Sequence, residues 1–137
     1  MIVINRRLGP FSIGETQAKV EALARPGQVV LSTSPTDGES FGSLIEDYPA
    51  VSIRVIYLTG GRGKAGLFAV DTTSPEYRTK SGIGVGSTVQ QVKKLGAYCD
   101  SLTSCSIQGA DGGTSTAFIL DKTGARVIRI GIGAQFN

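Results

Sequence analysis

The sequence of 137 residues has no histidine, no tryptophan, one methionine and two cysteines. Without histidine there is no imidazole base, no His-ligated metal and no Ser-His-Asp triad. Two cysteines cannot make a four-thiolate zinc site, and no cofactor or metal is expected. No stretch approaches the roughly 20 apolar residues of a membrane helix, so no membrane span is expected. The start, Met1-Ile2-Val3-Ile4-Asn5-Arg6-Arg7, is too short and polar for a signal peptide, and a secreted chain lacking its leader would begin the same way. Charge is sparse at 18%, with a net charge of +3. Residues 1–72 hold seven basic and seven acidic side chains, whereas 73–137 hold seven and four. So small an excess steers nucleic acid weakly, and no nucleic-acid partner is expected.

What is abundant is glycine, 19 residues in a chain that is 40% hydrophobic. That balance is globular, and a chain of this size buries roughly two thirds of its unfolded surface. Self-comparison at a shift of 72 residues aligns Gly14 with Gly86, Thr16 with Thr88, Val20 with Val92 and Leu23 with Leu95. Each copy reads as an apolar pair, a glycine, a small polar cap and a short helix. Ser87 or Thr88 caps the second helix, with Val89, Val92 and Leu95 on one face and Lys93 and Lys94 in its last turn. Gly96 stops it. In the first copy Thr16 is the cap, Val20, Leu23 and Ala24 form the stripe, and Pro26-Gly27 ends the helix.

β-Rich stretches follow. Val51 to Leu58 and Ala65 to Asp71 are predicted strands around the turn Thr59-Gly60-Gly61-Arg62-Gly63-Lys64. Thr114 to Leu120 and Ala125 to Ile132 are predicted strands around Asp121-Lys122-Thr123-Gly124. Ser32 to Tyr48 reads as a strand plus loop or a connection, with Phe41, Leu44 and Ile45 offering a short helix. The expected fold is α+β, two tandem helix-plus-antiparallel-β-meander repeats packed as one unit, covering 1–73 and 74–137.

Chemical motifs are thin. Gly82-Ile83-Gly84-Val85-Gly86-Ser87 lacks the final glycine of a dinucleotide loop, and Gly60-Gly61-Arg62-Gly63-Lys64-Ala65 lacks the hydroxyl residue of a P-loop. Ala69-Val70-Asp71-Thr72-Thr73-Ser74 approaches an aspartic-protease signature, but Thr73 stands where that tight turn needs glycine. Cys99 and Cys105 are either two separate thiols or a pair closing a small loop, worth roughly 2 kcal/mol. The aromatic residues read mainly as core. Tyr57 and Phe118, with Arg54, Arg126 and Arg129 from neighbouring strands, are the candidate contacts for a partner.

The stretch from Ser74 to Thr88, with Thr79-Lys80-Ser81-Gly82-Ile83-Gly84-Val85-Gly86, leads into a Val89-to-Gly96 helix. It ends in the hairpin Asp121-Lys122-Thr123-Gly124-Ala125-Arg126-Val127-Ile128-Arg129-Ile130. This pattern resembles small bacterial envelope domains similar to the tandem β-lactamase-inhibitor-protein fold and the BamE/SmpA-like outer-membrane assembly lipoproteins. The resemblance is clearest over 74–133 and fainter over 9–70. It implies helix-plus-sheet repeats, a cell-envelope or periplasmic location, and a sheet face that binds another protein; it supplies no catalytic residue. An oxidising envelope compartment favours the Cys99–Cys105 disulfide. The expected function is therefore a non-catalytic protein-binding module. The alternative is a small-ligand or hydrolytic site between the repeats, built on carboxylates such as Glu46, Asp47 or Asp71.

Overall fold

The computed structural model describes residues 1–23, 28–36, 39–59, 66–110 and 112–134, with 28–36, 39–43, 58 and 59 given through their backbone. Three two-residue strands open the chain: β1 (Ile2–Val3), β2 (Arg7–Leu8) and β3 (Phe11–Ser12). They form a three-stranded antiparallel sheet. Helix α1 (Gln17–Leu23) precedes β4 (Gln28–Thr36), β5 (Glu39–Tyr48), β6 (Ile53–Thr59) and β7 (Leu67–Thr72). Helix α2 (Val89–Lys94) precedes β8 (Tyr98–Ser101), β9 (Ser104–Gln108), β10 (Thr114–Leu120) and β11 (Val127–Ala134).

Strands β4 to β11 make one eight-stranded sheet in the order β4-β5-β6-β7-β11-β10-β9-β8. Every neighbouring pair is antiparallel. At the centre β7 pairs with β11 from Ala69↔Gly133 to Thr72↔Ile130. The α+β expectation of two helix-plus-meander repeats is thereby corrected. The chain is mostly β, its described helices have seven and six residues, and an unforeseen small sheet opens it. Helices this short cannot stand on their own propensity, so sheet pairing dominates. The segment 32–48 is also corrected: its described parts are strands, not a loop or helix. Pairing of β4 with β5, and of β5 with β6, overrides the turn-like composition. Pro35 is tolerated because β4 lies at the edge of the sheet. The expected turn at Gly60–Lys64 and the helix stop at Pro26-Gly27 lie outside the described residues.

Local signals placed other elements well. Thr88 caps α2 in a full capping box: its hydroxyl accepts from Gln91 N, and the Gln91 side chain accepts from Thr88 N. β10 spans the expected Thr114–Leu120, because its alternation is regular, with Thr116, Phe118 and Leu120 buried and the residues between them half-buried.

The core lies on one face of the eight-stranded sheet. Tyr48, Val55, Val70, Phe118, Ile130 and Ile132 point into it, and Ile2, Leu8 and Phe11 of the small sheet cover them with Val20 of α1 and Val92 of α2. Phe11 packs on Tyr48 with ring centroids 4.9 Å apart. Asn5 pins the small sheet in place. It adopts a left-handed φ of 63°, which Asn tolerates better than most residues. Its N–H donates to Thr116 Oγ1 at 2.7 Å, and its Oδ1 accepts from the same hydroxyl at 2.8 Å.

Cys99 and Cys105 sit directly opposite each other on β8 and β9 and form a disulfide. The bond is consistent with an extracytoplasmic protein. Among the described residues no helix is long and apolar enough to cross a membrane. Reducing the disulfide should lower stability by about 2 kcal/mol. Thermal unfolding with and without a dithiol reductant reads this out as a lower midpoint; an unchanged midpoint would show that β8 contributes little to the cooperative fold.

Candidate functional site

The period of a strand sends alternate side chains to opposite faces. In β10 and β11 the core-facing Thr116, Phe118, Ile130 and Ile132 are at most 1% exposed, while their outward neighbours Ala117, Ile119, Gly131 and Gly133 are half-buried. One face of the sheet is therefore covered and the other open.

The strand register lays a continuous row of residues across the open face. Asp47 pairs with Arg54, Arg54 with Asp71, Asp71 with Gly131, Gly131 with Ala117, Ala117 with Ser106, and Ser106 with Tyr98. At the usual strand spacing this row spans about 29 Å. Its two ends differ. The β5–β7 end is charged, and Arg54 donates from Nε and Nη2 to Asp71 Oδ2 at 3.1 and 2.9 Å. The Arg54 side chain is 40% exposed, so the pair fixes orientation more than it adds stability. The β8 end carries Tyr98, 72% exposed. A second row, Ile45, Ile56, Ala69, Gly133 and Ser115, runs beside the first.

The centre of the face is flat because Gly131 and Gly133 lack side chains, yet neither the backbone nor the packing demands glycine there. A Cβ on Gly131 would come no closer than 3.5 Å to Asp71 Cβ and Val70 O, and on Gly133 no closer than 3.7 Å to Ala69 Cβ. Those are ordinary contacts. Glycine inside a strand costs about 0.5–1 kcal/mol relative to alanine. Glycine in a strand interior often marks a bulge, a tight bend or a place where another backbone or ligand approaches closely.

Beside the charged end a groove of about 540 Å³ is lined by Tyr48, Ser52, Arg54, Asp71, Thr73 and Arg129. Arg129 follows the alternation of Gly131 and Ile130 onto the open face, and a β-bulge beyond it lets Val127 turn back to the core. Ile119 faces Arg129 and Leu120 faces Val127, so Ile128 is the extra residue, and both Ile128 and Arg129 are exposed. A separate cleft of about 770 Å³ lies between the β1–β2 turn and the β9–β10 loop. Its arginines, Arg6 and Arg7, are both exposed.

Five residues were expected to touch a partner, and the structure divides them. Arg54 and Arg129 meet in the groove on the open face. Tyr57 and Phe118 point to the other face, at 4% and 0% exposure. Arg126 lies apart, where the β10–β11 hairpin meets the entrance to α2, and its Nη1 donates to Gly86 O at 2.8 Å.

Of the three carboxylates expected for a hydrolytic site, Asp71 is held by Arg54, Asp47 lies on the open face, and Glu46 is fully buried. Tyr48 donates from its hydroxyl to Glu46 Oε1 at 3.0 Å, while Glu46 Oε2 and the Tyr57 hydroxyl are buried with no partner. Burial pushes the Glu46 carboxyl up, and the neighbouring Glu21 carboxylate of α1 pushes it further. The Glu21 carboxyl is held low, first by its neighbour Glu46 and then by the bond it accepts from Gln17 Nε2 at 3.1 Å. Burial raises both tyrosine hydroxyls well above the usual phenol range. A substrate cannot reach Glu46 in this conformation. The sequence signal for its burial is present in hindsight: Glu46 shares its strand face with Leu44 and Tyr48.

The raised Glu46 contributes stability that is fully present below its unfolded value and lost as pH rises through its folded one; the lowered Glu21 behaves oppositely on the acid side. Glu46→Gln should therefore flatten the loss of thermal stability as pH rises above the ordinary carboxylate range. Equal slopes for both proteins would show that Glu46 does not govern the dependence. Among the described residues no group of three or more Cys, Asp or Glu could hold a metal ion.

No family model and no curated protein matches this chain. Among solved structures it is similar to the uncharacterized protein YfeY from Escherichia coli, with a TM-score of 0.53 and 14% identity. That match covers 98% of this chain and 100% of YfeY. At this identity the likeness concerns fold alone.

Proposed function

We propose that this chain is a non-catalytic protein-binding module of the bacterial cell envelope, working in the periplasm, and that its partner docks on the open face of the eight-stranded sheet. The observation that carries this reading is the flat centre of that face, where Gly131 and Gly133 leave room that their own surroundings do not require. A partner's main chain or an apolar side chain can settle there against Ala69 and Ala117. Tyr98 at one end and Arg54, Asp71 and Arg129 at the other supply an aromatic anchor and directional hydrogen bonds. The disulfide supports an oxidising compartment. The resemblance of 74–133 to β-lactamase-inhibitor-like and BamE-like domains supports the envelope and the choice of a protein partner.

The test is a photoreactive residue placed at Ala117 and, as a control, at Lys122 in the β10–β11 turn. Irradiation in a periplasmic extract should give one discrete protein adduct from position 117. That adduct should be absent from position 122 and lost when Gly131→Arg fills the centre of the face. Adducts that are indifferent to both changes would overturn the reading.

A further inference from the structure

The cleft between the β1–β2 turn and the β9–β10 loop is a site apart from the sheet face. None of its lining residues belongs to the rows on the open face or to the groove beside them. Its volume of about 770 Å³ is that of a small-molecule pocket. Val3, Ile4 and Ile13, all half-buried, give it an apolar lining, and Arg6 and Arg7 add two exposed guanidinium groups.

The charge of this cleft is of one sign. No carboxylate among the described residues lines it, and neither arginine side chain makes an ion pair or a hydrogen bond with them. Glu15, whose carboxylate accepts from Ser12 N at 2.7 Å, is not part of the lining. Asn5 adds a positioned donor. The Thr116 hydroxyl accepts from Asn5 N at 2.7 Å and gives its own proton to Asn5 Oδ1 at 2.8 Å, which fixes the side-chain amide. Thr116 is itself fully buried, so the anchor is firm. The two N–H groups of Asn5 Nδ2 are then left without a partner among the described residues, on a residue that lines the cleft. Donors therefore gather here with no acceptor of matching charge.

We propose that this cleft binds a small amphipathic anion, an oxyanion head on a short apolar chain. The head, a carboxylate or a phosphate, accepts from the guanidinium groups of Arg6 and Arg7 and from Asn5 Nδ2, a set of N–H donors suited to either oxyanion. An anion between the two arginines also relieves their mutual repulsion. The chain lies against Val3, Ile4 and Ile13 and takes their exposed surface out of water. A bare anion leaves that apolar lining wet, and a neutral apolar molecule leaves both arginines without a counter-charge. The cleft thus prefers a ligand that carries both parts.

Titration of the whole isotope-labelled chain, followed by NMR through the side-chain amide signal of Asn5, tests this. The probes are hexyl phosphate, hexanoate, inorganic phosphate and hexanol. At least one of the two amphipathic anions should saturate the shift, with an affinity about tenfold or more above that of inorganic phosphate and of hexanol. The tighter of the two heads is the one the site takes. Replacing both arginines, Arg6→Gln with Arg7→Gln, should weaken that binding by about tenfold or more. Added sodium chloride should weaken wild-type binding in the same sense, and it serves if the double variant does not fold. Equal binding of the amphipathic anion and inorganic phosphate would show that the apolar lining plays no part. Equal binding of the amphipathic anion and hexanol, or binding indifferent to the arginines or to salt, would show that the cations play none. Either result, or no shift with either amphipathic anion, would overturn the proposal.

Discussion

Gly124→Ala should destabilise the chain by about 2–4 kcal/mol, a large loss for one added methyl group. Two causes combine. Gly124 adopts a φ of 72°, and a Cβ there would lie 2.5 Å from the Leu102 carbonyl oxygen. The turn cannot easily move away, because Asp121 Oδ1 accepts from Thr123 N at 3.1 Å and from Ala125 N at 3.0 Å. Gly124 N itself donates to Asp121 O at 3.0 Å. The added methyl therefore pushes apart two hairpins, β8–β9 and β10–β11. Gly131→Ala is the matched control, since its Cβ meets only ordinary contacts, and it should be neutral or slightly stabilising. Urea unfolding with a constant m-value measures both. Equal losses for the two variants would show that the Leu102–Gly124 contact does not constrain the fold.

Phe118→Ala should cost about 3–5 kcal/mol, the range for truncating a buried aromatic side chain. Phe118 is fully buried, with Cys105 opposite on β9 and Ile130 opposite on β11. The expected fall in the thermal midpoint is about 10–20 °C for a chain of this size. Any loss of partner binding in this variant should follow only from the unfolded fraction, because the ring faces away from the open surface. If binding falls while stability holds, Phe118 is a contact residue after all, and the assignment of faces is wrong.

Phe118 also shows what the sequence made legible. Its strand was evident from the regular alternation of Thr114 to Leu120, and the start of α2 from the cap candidates Ser87 and Thr88. Alternation separates two faces but does not say which one is covered. That choice depends on β1 to β3, which have two residues each and carry no periodic signal of their own. The arginines were easier to place than the aromatics for a related reason. Arg54 and Arg129 are costly to bury wherever they fall, so the open face is their default, whereas Tyr57 serves either face.

Segment 32–48 was obscured by composition. Ser32, Ser34, Pro35 and Gly38 are turn formers, and the pairing that makes strands of its described parts runs between β4 and β5 and from β5 to residues up to 17 positions later in β6. The disulfide was legible through the resemblance to envelope domains, because the spacing of Cys99 and Cys105 alone leaves two separate thiols open; the β8–β9 pairing that sets them opposite each other had no separate signal.

The most direct measurement is a binding titration with the protein captured at position 117, comparing wild type with Gly131→Arg alongside their thermal midpoints. Docking on the open face predicts that Gly131→Arg weakens affinity by about tenfold or more, equivalent to about 1.4 kcal/mol, with the midpoint nearly unchanged. Equal affinities at equal stability would contradict the account, because the flat centre of the sheet would then play no part in recognition.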